Sequence, residues 1–148
     1  MNTPYQFHFG DNPAARAVIE DGLKAFNTEV IGQHLYGNHS AYRNLELYAR
    51  DERGEVVGGL FGNDGMGWMY VDYLWLHPDH RGSGLGRRLM ALVDDEARRR
   101  GCVGVFLYTY SFQAPGFYQR CGFELMGELE DCPPGHRRLY LKKRLPPL

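Results

Sequence analysis

The chain has 148 residues, and its charges nearly cancel, since 17 Lys and Arg against 18 Asp and Glu give a formal net charge of −1. This length predicts one domain, residues 1–148, with a core large enough to need no stabilising disulfide or metal. A hydrophobic share of 43% and a charged share of 24% exclude the disordered, collagen-like and coiled-coil classes. A near-neutral chain has no overall field that attracts nucleic acid or an anionic membrane, so neither is an expected partner.

The N-terminal sequence and the cysteines indicate the cellular compartment of the protein. No apolar run reaches the roughly 18 residues of a membrane-spanning helix, and the first residues, MNTPYQFHFGDNP, lack the order of a signal peptide. Cys102, Cys121 and Cys132 form no CxxC pair, which favours reduced thiols. His77 and His80 flank a proline, and no paired ligand spacing indicates zinc. We expect a cytoplasmic protein without a metal site.

The N-terminal region predicts a strand followed by a helix. Tyr5, Phe7 and Phe9 alternate with polar residues, which is typical of a short strand. Asn12 and Pro13 form a helix start, and apolar residues at helical spacing predict a helix over residues 13–27. The Gly-, Asn- and His-rich stretch 28–42 favours a short helix and a loop.

The remaining chain predicts a mixed α/β arrangement. Apolar runs within 45–49, 56–61 and 68–76, separated by turn residues, indicate an antiparallel meander. A helix from Leu85 to Gly101 leads to a strand over 103–109, which should lie parallel to strand 68–76. A short helix over 114–121 and strands over 123–130 and 136–144 complete the domain. In the long helix, Asp94, Asp95 and Glu96 each precede an arginine by four positions, which predicts a solvated face with salt bridges.

A glycine-rich segment, HRGSGLGR over residues 80–87, lies between a predicted strand and a predicted helix. Its alternate glycines allow close approach of backbone to a ligand, and the helix start presents unpaired N–H groups suited to a phosphate or pyrophosphate. Arg81 and Arg87 can add charge-assisted contacts. The spacing departs from the dinucleotide and P-loop patterns, so it leaves the ligand open.

Two motifs resemble those of one family. Arg81-x-x-Gly84-x-Gly86 after a strand resembles the acyl-CoA pyrophosphate loop of the GNAT superfamily of N-acetyltransferases. The segment APGFYQRCGF, residues 114–123, is similar to the family's A-x-x-F-Y-x-x-x-G-F segment. The stretch SFQAP, residues 111–115, resembles a subgroup of small bacterial members.

The resemblance implies a GNAT-like fold, a central mixed sheet of about seven strands with about four helices, whose splayed parallel strands form a cleft for acyl-CoA. Acetyl-CoA is then the co-substrate, its pantetheine pairing with the backbone of Trp75 and Leu76 and its pyrophosphate lying on residues 82–87. Ser111 and Gln113 stand where many members carry an asparagine that binds pantetheine. The implied cofactor-binding residues are Trp75, Leu76, Arg81, Gly82, Ser83, Gly84, Leu85, Gly86, Arg87, Ser111, Gln113 and Phe117.

The implied reaction transfers an acetyl group to a primary amine of a small molecule or peptide by direct attack. Tyr118 occupies the position of the family's usual tyrosine, and a phenol with an ordinary pKa of ~10 can donate a proton to a thiolate. Asp72, the only carboxylate within strand 68–76, is the candidate base, and strand alternation places it on one face with Tyr70, Leu74 and Leu76. The alternative is a solvated aspartate paired with a basic neighbour.

Other interpretations stay open. A CoA-binding sensor without turnover, or a nucleotide-binding protein that uses the same loop, would carry the same glycines. The sequence does not name the amine, although Phe26, Tyr36 and Tyr42 are candidates for an acceptor pocket. An exposed C-terminal edge strand would permit a homodimer.

Overall fold

The computed structural model describes residues 4–32 and 42–147. Two compact units divide the chain, Met1–Asn38 and His39–Leu148, and the single domain expected over 1–148 stays a prediction. Residues 33–41, which hold most of the predicted short helix and loop as well as Tyr36, lie outside the described residues.

The first unit contains helix α1, Pro13–Ile31. It begins after Asn12, whose side chain accepts a 3.0 Å hydrogen bond from the Ala15 N–H, and ends at Gly32, which has a φ of 84°. The helix exceeds its predicted end because Val30 continues the apolar spacing. The predicted strand at Tyr5–Phe9 is wrong: alternation alone makes no strand without a ladder partner, and residues 4–9 belong to none.

The second unit is built on a six-stranded mixed sheet with strand order β1-β2-β3-β4-β6-β5. Its strands are β1 (Arg43–Arg50), β2 (Val56–Gly65), β3 (Trp68–Leu76), β4 (Gly104–Tyr110), β5 (Glu124–Glu130) and β6 (Arg137–Arg144). Helices α2 (Leu85–Arg99) and α3 (Pro115–Arg120) and a 3₁₀ turn, Pro78–His80, complete the unit. The α/β mixed-sheet class is confirmed, with the predicted meander as β1–β3.

The parallel pair of the sheet opens along its length. Trp68–Val71 of β3 pair with Gly104–Leu107 of β4. Beyond those four pairs β3 continues to Leu76 and β4 to Tyr110 without pairing to each other. The splayed gap expected between these strands is therefore present.

Helix α2 is held on the sheet by an apolar stripe. Leu89, Val93 and Ala97, spaced by four residues, are buried together with Met90. Fully burying each large side chain contributes roughly 1.5–3 kcal/mol. A Cβ on buried Gly86 would lie 3.0 Å from the Phe117 ring and 3.2 Å from Leu76 Cδ1. The start of α2 is thus packed beside the open end of β3.

The charged face of α2 matches its prediction at one of the three pairs, Glu96–Arg100, and differs at the other two. Arg98 pairs with Asp95 and Arg99 with Glu96 at three-residue spacing, while Asp94 pairs with Lys143. Arg100 is largely buried and bonds Glu96, Asp64 and the carbonyls of residues 43 and 44. The end of α2 is therefore anchored to β1 and β2 and is not a purely solvated face.

Candidate active site

The glycine-rich loop joins the end of β3 to the start of α2. Gly82 has a φ of 75° and Gly84 a φ of 86°, in the left-handed region that costs other residues energy. A Cβ at either position would meet no atom within 4 Å, so backbone conformation, not space, requires glycine. Gly84 caps α2 without a side-chain hydrogen bond, which leaves first-turn N–H groups available for an anion.

Two side chains of this loop fix its shape. The Arg81 Nε donates to the carbonyl of Leu76 at 3.1 Å, which ties the loop to the last residue of β3. The Ser83 hydroxyl donates to the carbonyl of His80 at 2.6 Å. The Ser83 side chain is thereby directed back into the turn. Only the backbone of Ser83 is then available for the expected contact with the co-substrate.

A cleft of about 950 Å³ extends from this loop into the gap between β3 and β4, within the size range of small-molecule sites. It brings together most of the predicted residues: Trp75, Leu76, Arg81, Gly82, Gly84, Gly86, Arg87, Gln113, Phe117 and Tyr118. Ser83, Leu85, Ser111 and Asp72 are not among its lining residues. Lining residues that the sequence argument missed are Leu74, Thr109, Phe112, Ala114 and Arg120.

The free edge of β3 is provided by Leu74 and Leu76, apart from the Leu76 carbonyl, which Arg81 already occupies. The His77 N–H donates to the Val57 carbonyl at 2.8 Å, and backbone groups of successive residues point to opposite sides of a strand. The backbone of Trp75 therefore points toward β2, and those of Leu74 and Leu76 point into the gap. Trp75 lines the cleft, but the expectation that its backbone is free for pairing is wrong.

Gln113 lies at the opposite edge of the gap. Its Oε1 accepts from the Thr109 hydroxyl at 2.8 Å and from the Tyr110 N–H at 3.1 Å. These two bonds orient the carboxamide and leave its N–H groups as donors toward the cleft. Ser111 instead exchanges hydrogen bonds with the backbone of Arg137, so it belongs to the β4–β6 connection.

Tyr118 lies on α3 between two aromatic rings, with centroids 5.1 Å from Phe117 and 5.9 Å from Phe123. Burial, with a smaller contribution from Cys121, raises the pKa of Tyr118 to about 12. The phenol is therefore protonated at neutral pH. A partly buried neutral hydroxyl that lines the cleft can donate a proton to a strong base formed there.

Asp72 is the extra residue of a β-bulge. Tyr73 is opposite Phe61 and Val71 is opposite Gly62, so Asp72 has no partner on β2. A Cβ on Gly62 would collide with the carbonyl of Tyr70, which explains the glycine there. A bulge shifts the alternation of a strand by one.

The bulge corrects the predicted face of Asp72. Leu74 and Leu76 pack against the core formed by Val71 and its neighbours, whereas the Tyr70 hydroxyl donates to Asp72 Oδ1 at 3.3 Å. Asp72 therefore shares the exposed face of Tyr70 and not the face of the two leucines. Burial and the nearby Asp72 charge raise the pKa of Tyr70, so its hydroxyl stays a donor to the carboxylate.

The described cysteines include two poorly reactive thiols. Burial raises the pKa of Cys102 and of Cys121, so both are protonated at neutral pH. Within residues 4–32 and 42–147, no group of three or more His, Cys, Asp or Glu residues could hold a metal ion. Across the same ranges, no helix combines the length and apolar character needed to span a membrane.

Comparison with known proteins places this cleft in a family. Residues 15–123 match the model of the acetyltransferase (GNAT) family. Blasticidin-S acetyltransferase of Streptomyces morookaense is 47% identical over 107 residues, covering 70% of this chain and 79% of that protein. An acetyltransferase of Agrobacterium fabrum is 35% identical over 130 residues, covering 88% and 90%.

Solved structures agree with this assignment. The crystal structure of an acetyltransferase from Bacillus cereus matches with a TM-score of 0.84 and 26% identity, over 95% of this chain and 98% of that one. The glycine loop, splayed strands and tyrosine thus lie in a fold shared along nearly the whole chain. The chain belongs to the GNAT family, and it is an acetyltransferase whose co-substrate is acetyl-CoA.

Proposed function

We propose that the protein transfers the acetyl group of acetyl-CoA directly to a primary amine of a small molecule. One observation carries the proposal: a single cleft of about 950 Å³ joins a helix start, an unpaired strand edge and a partly buried neutral phenol. These are the three groups needed to bind a pyrophosphate, align an extended pantetheine and protonate a thiolate. The name of the Streptomyces relative supports a small-molecule acceptor.

The residues of the cleft fit the co-substrate. Gly82, Gly84 and Gly86 line the cleft at the start of α2, and Arg81 and Arg87 line the same space, which suits a pyrophosphate. The Leu74 and Leu76 edge and the Gln113 N–H groups then offer donors on both sides of the gap. A backbone N–H of this edge is suited to stabilise the oxyanion that develops on the thioester.

Three proton transfers balance the reaction. The acceptor ammonium loses a proton to Asp72, directly or through water, and the free amine attacks the thioester carbonyl. The C–N bond forms and the C–S bond breaks. The thiolate takes a proton from Tyr118, and the second proton that the new amide nitrogen loses returns to the Tyr118 phenolate through water. The exposed position of Asp72 beside the Tyr70 hydroxyl supports its role as the acceptor of the ammonium proton.

Direct attack is supported by the thiols near the cleft. Cys121, which packs beside Tyr118 in the core cluster, has a pKa raised by burial. Nucleophilic catalysis needs a thiolate or an adjacent base. An acetylated cysteine is therefore not part of the proposed route.

Tyr118→Phe tests the proposal, with Tyr48→Phe as the control because Tyr48 is exposed on β1. Turnover is followed by release of free CoA thiol with a panel of primary amines. Loss of a general acid predicts a decrease in kcat of roughly 10²-fold or more, with acetyl-CoA affinity retained and the control unchanged. Asp72→Asn should lower kcat with acetyl-CoA affinity retained.

Specific outcomes decide against the proposal. If both variants acetylate at the normal rate, the assigned roles are wrong. If the native protein binds acetyl-CoA but acetylates no amine, a CoA sensor replaces the enzyme. Greater thermal stabilisation by ATP than by acetyl-CoA would instead indicate a nucleotide site, since a ligand that binds the folded state raises its stability.

A further inference from the structure

A second cavity, of about 360 Å³, lies beside the N-terminal half of β3. Four aromatic side chains line it, together with one carboxamide and one thioether: Tyr42, Trp68, Tyr70, Phe106, Asn63 and Met66. This volume is at the small end of the range for ligand pockets. The lining is that of a site for a compact, largely apolar molecule.

Two glycines shape the walls of this cavity. A Cβ on Gly65 would lie 2.6 Å from the Tyr42 ring. A Cβ on Gly104 would collide with the ring of Trp68. Both rings can lie against strand backbone only because these positions are glycine, so the aromatic walls depend on specific residues of β2 and β4.

The aromatic walls of the cavity pack against one another. Tyr70 and Phe106 stack with centroids 5.0 Å apart and an interplanar angle of 30°. Trp68 meets Phe106 nearly edge-on, at 6.3 Å and 77°. Offset stacking and edge contacts are the geometries that aromatic rings prefer, so an aromatic ring of a ligand can extend this cluster with the same contacts, which a puckered aliphatic ring cannot make.

Tyr70 connects this cavity to the reaction. Its ring lines the cavity and its hydroxyl donates to Asp72, while Leu74 lines the acetyl-CoA cleft. Asp72 lies midway along the strand between these two residues, about 7 Å from each. A molecule with its ring in the cavity and its amine on a short chain would therefore place that amine beside the carboxylate of Asp72, between the cavity and the edge of the cleft.

We propose that this cavity binds the aromatic body of the acceptor, so that the preferred substrates are arylalkylamines with a flat ring and a short aminoalkyl arm. The proposal rests on the acetyl transfer proposed above. Asp72 attracts the ammonium group, the rings of Tyr70 and Phe106 hold the planar body, and Asn63 is the polar group available to an edge of that ring.

A matched pair of amines tests the proposal. 2-Phenylethylamine and 2-cyclohexylethylamine have the same carbon skeleton and amine, and differ in ring planarity and aromaticity. Thiol release should give a higher kcat/KM for the phenyl compound. Phe106→Leu should reduce that preference by about 2- to 10-fold, without changing the KM for acetyl-CoA, and the control Tyr48→Leu should keep it.

A second variant provides the test if Phe106→Leu does not fold. Gly65→Ala should displace the Tyr42 ring and narrow the cavity, lowering kcat/KM for the phenyl compound at unchanged acetyl-CoA affinity. Equal turnover of both amines by the native protein, or an equal loss for both amines in the variants, would overturn the assignment.

Calorimetry separates this proposal from the one on which it rests. Titration of 2-phenylethylamine into the protein saturated with CoA should give heat that Phe106→Leu weakens. If the amine binds in this way but is not acetylated, the cavity assignment stands and the proposed acetyl transfer fails. If amines are acetylated while 2-phenylethylamine neither binds nor reacts preferentially, the cavity assignment alone fails.

Discussion

Replacing Gly84 by alanine tests whether the left-handed backbone of the glycine loop requires glycine. Gly84 has φ 86° and ψ 0°, and a Cβ there would meet no atom within 4 Å. The cost is therefore backbone strain without a steric clash, about 1–2 kcal/mol for a left-handed conformation. This corresponds to a decrease in Tm of about 2–8 °C for a chain of this length.

Gly127→Ala is the matched control. Gly127 lies on β5 without a positive φ and with no atom within 4 Å of an added Cβ. Both variants lose the same backbone freedom in the unfolded chain, so the difference between their free energies of unfolding isolates the strain at Gly84.

The loop can respond to the alanine in two ways. If it keeps its conformation, stability falls and CoA still binds. If it relaxes, stability is recovered but the first-turn N–H groups move, and CoA affinity should fall by roughly 5- to 30-fold, equivalent to the same 1–2 kcal/mol. Thermal unfolding and calorimetric titration with CoA measure the two effects. Unfolding and CoA affinity both equal to those of Gly127→Ala would refute the reasoning.

Two further predictions concern the end of α2. Arg100→Ala should lower the free energy of unfolding by about 3 kcal/mol, because Asp64 is only 2% exposed and would keep only its Arg43 ion pair. Thermal denaturation measures this loss, with Arg99→Ala as the control that removes an exposed ion pair. A Tm of Arg100→Ala no lower than that of Arg99→Ala would contradict the prediction. Hydrogen bonds from Arg99 and Arg100 lower the pKa of Glu96 from 4.5 to about 2. The stability that the ionised Glu96 contributes is therefore present above pH 4.5 and is lost as the pH falls toward 2. Denaturant unfolding of Glu96→Gln beside the native protein should show a difference that shrinks over that pH range, and a constant difference would disprove the assigned shift.

Short-range patterns were sufficient for much of this protein. Asn12 and Pro13 marked the start of α1, the spacing of Leu89, Val93 and Ala97 marked the buried face of α2, and the glycines of residues 82–86 marked the anion loop. These signals are local because capping, helical periodicity and left-handed backbone depend on residues near one another in the chain. The resemblance to the family depends on two such motifs, which occur along the chain in the same order as in the family.

The positions that the sequence argument misplaced depend on pairing between distant segments. Tyr5–Phe9 alternate like a strand, but a strand exists only with a partner. The alternation predicts Asp72 on one face with Tyr70, Leu74 and Leu76, but only the grouping with Tyr70 is confirmed. The bulge opposite Gly62 shifts the alternation, so the two leucines lie on the other face, and a glycine inside a strand pattern is the available signal.

Sequence by itself determined the fold class, and it located the glycine loop and the tyrosine of the candidate active site, because these signals rest on patterns within a few residues. Only the tertiary structure decided which strand edge is free, where Asp72 points, and that four aromatic rings from separate segments enclose a second cavity. Hydrogen-bond register and ring packing join residues far apart in the chain, and no local pattern specifies them.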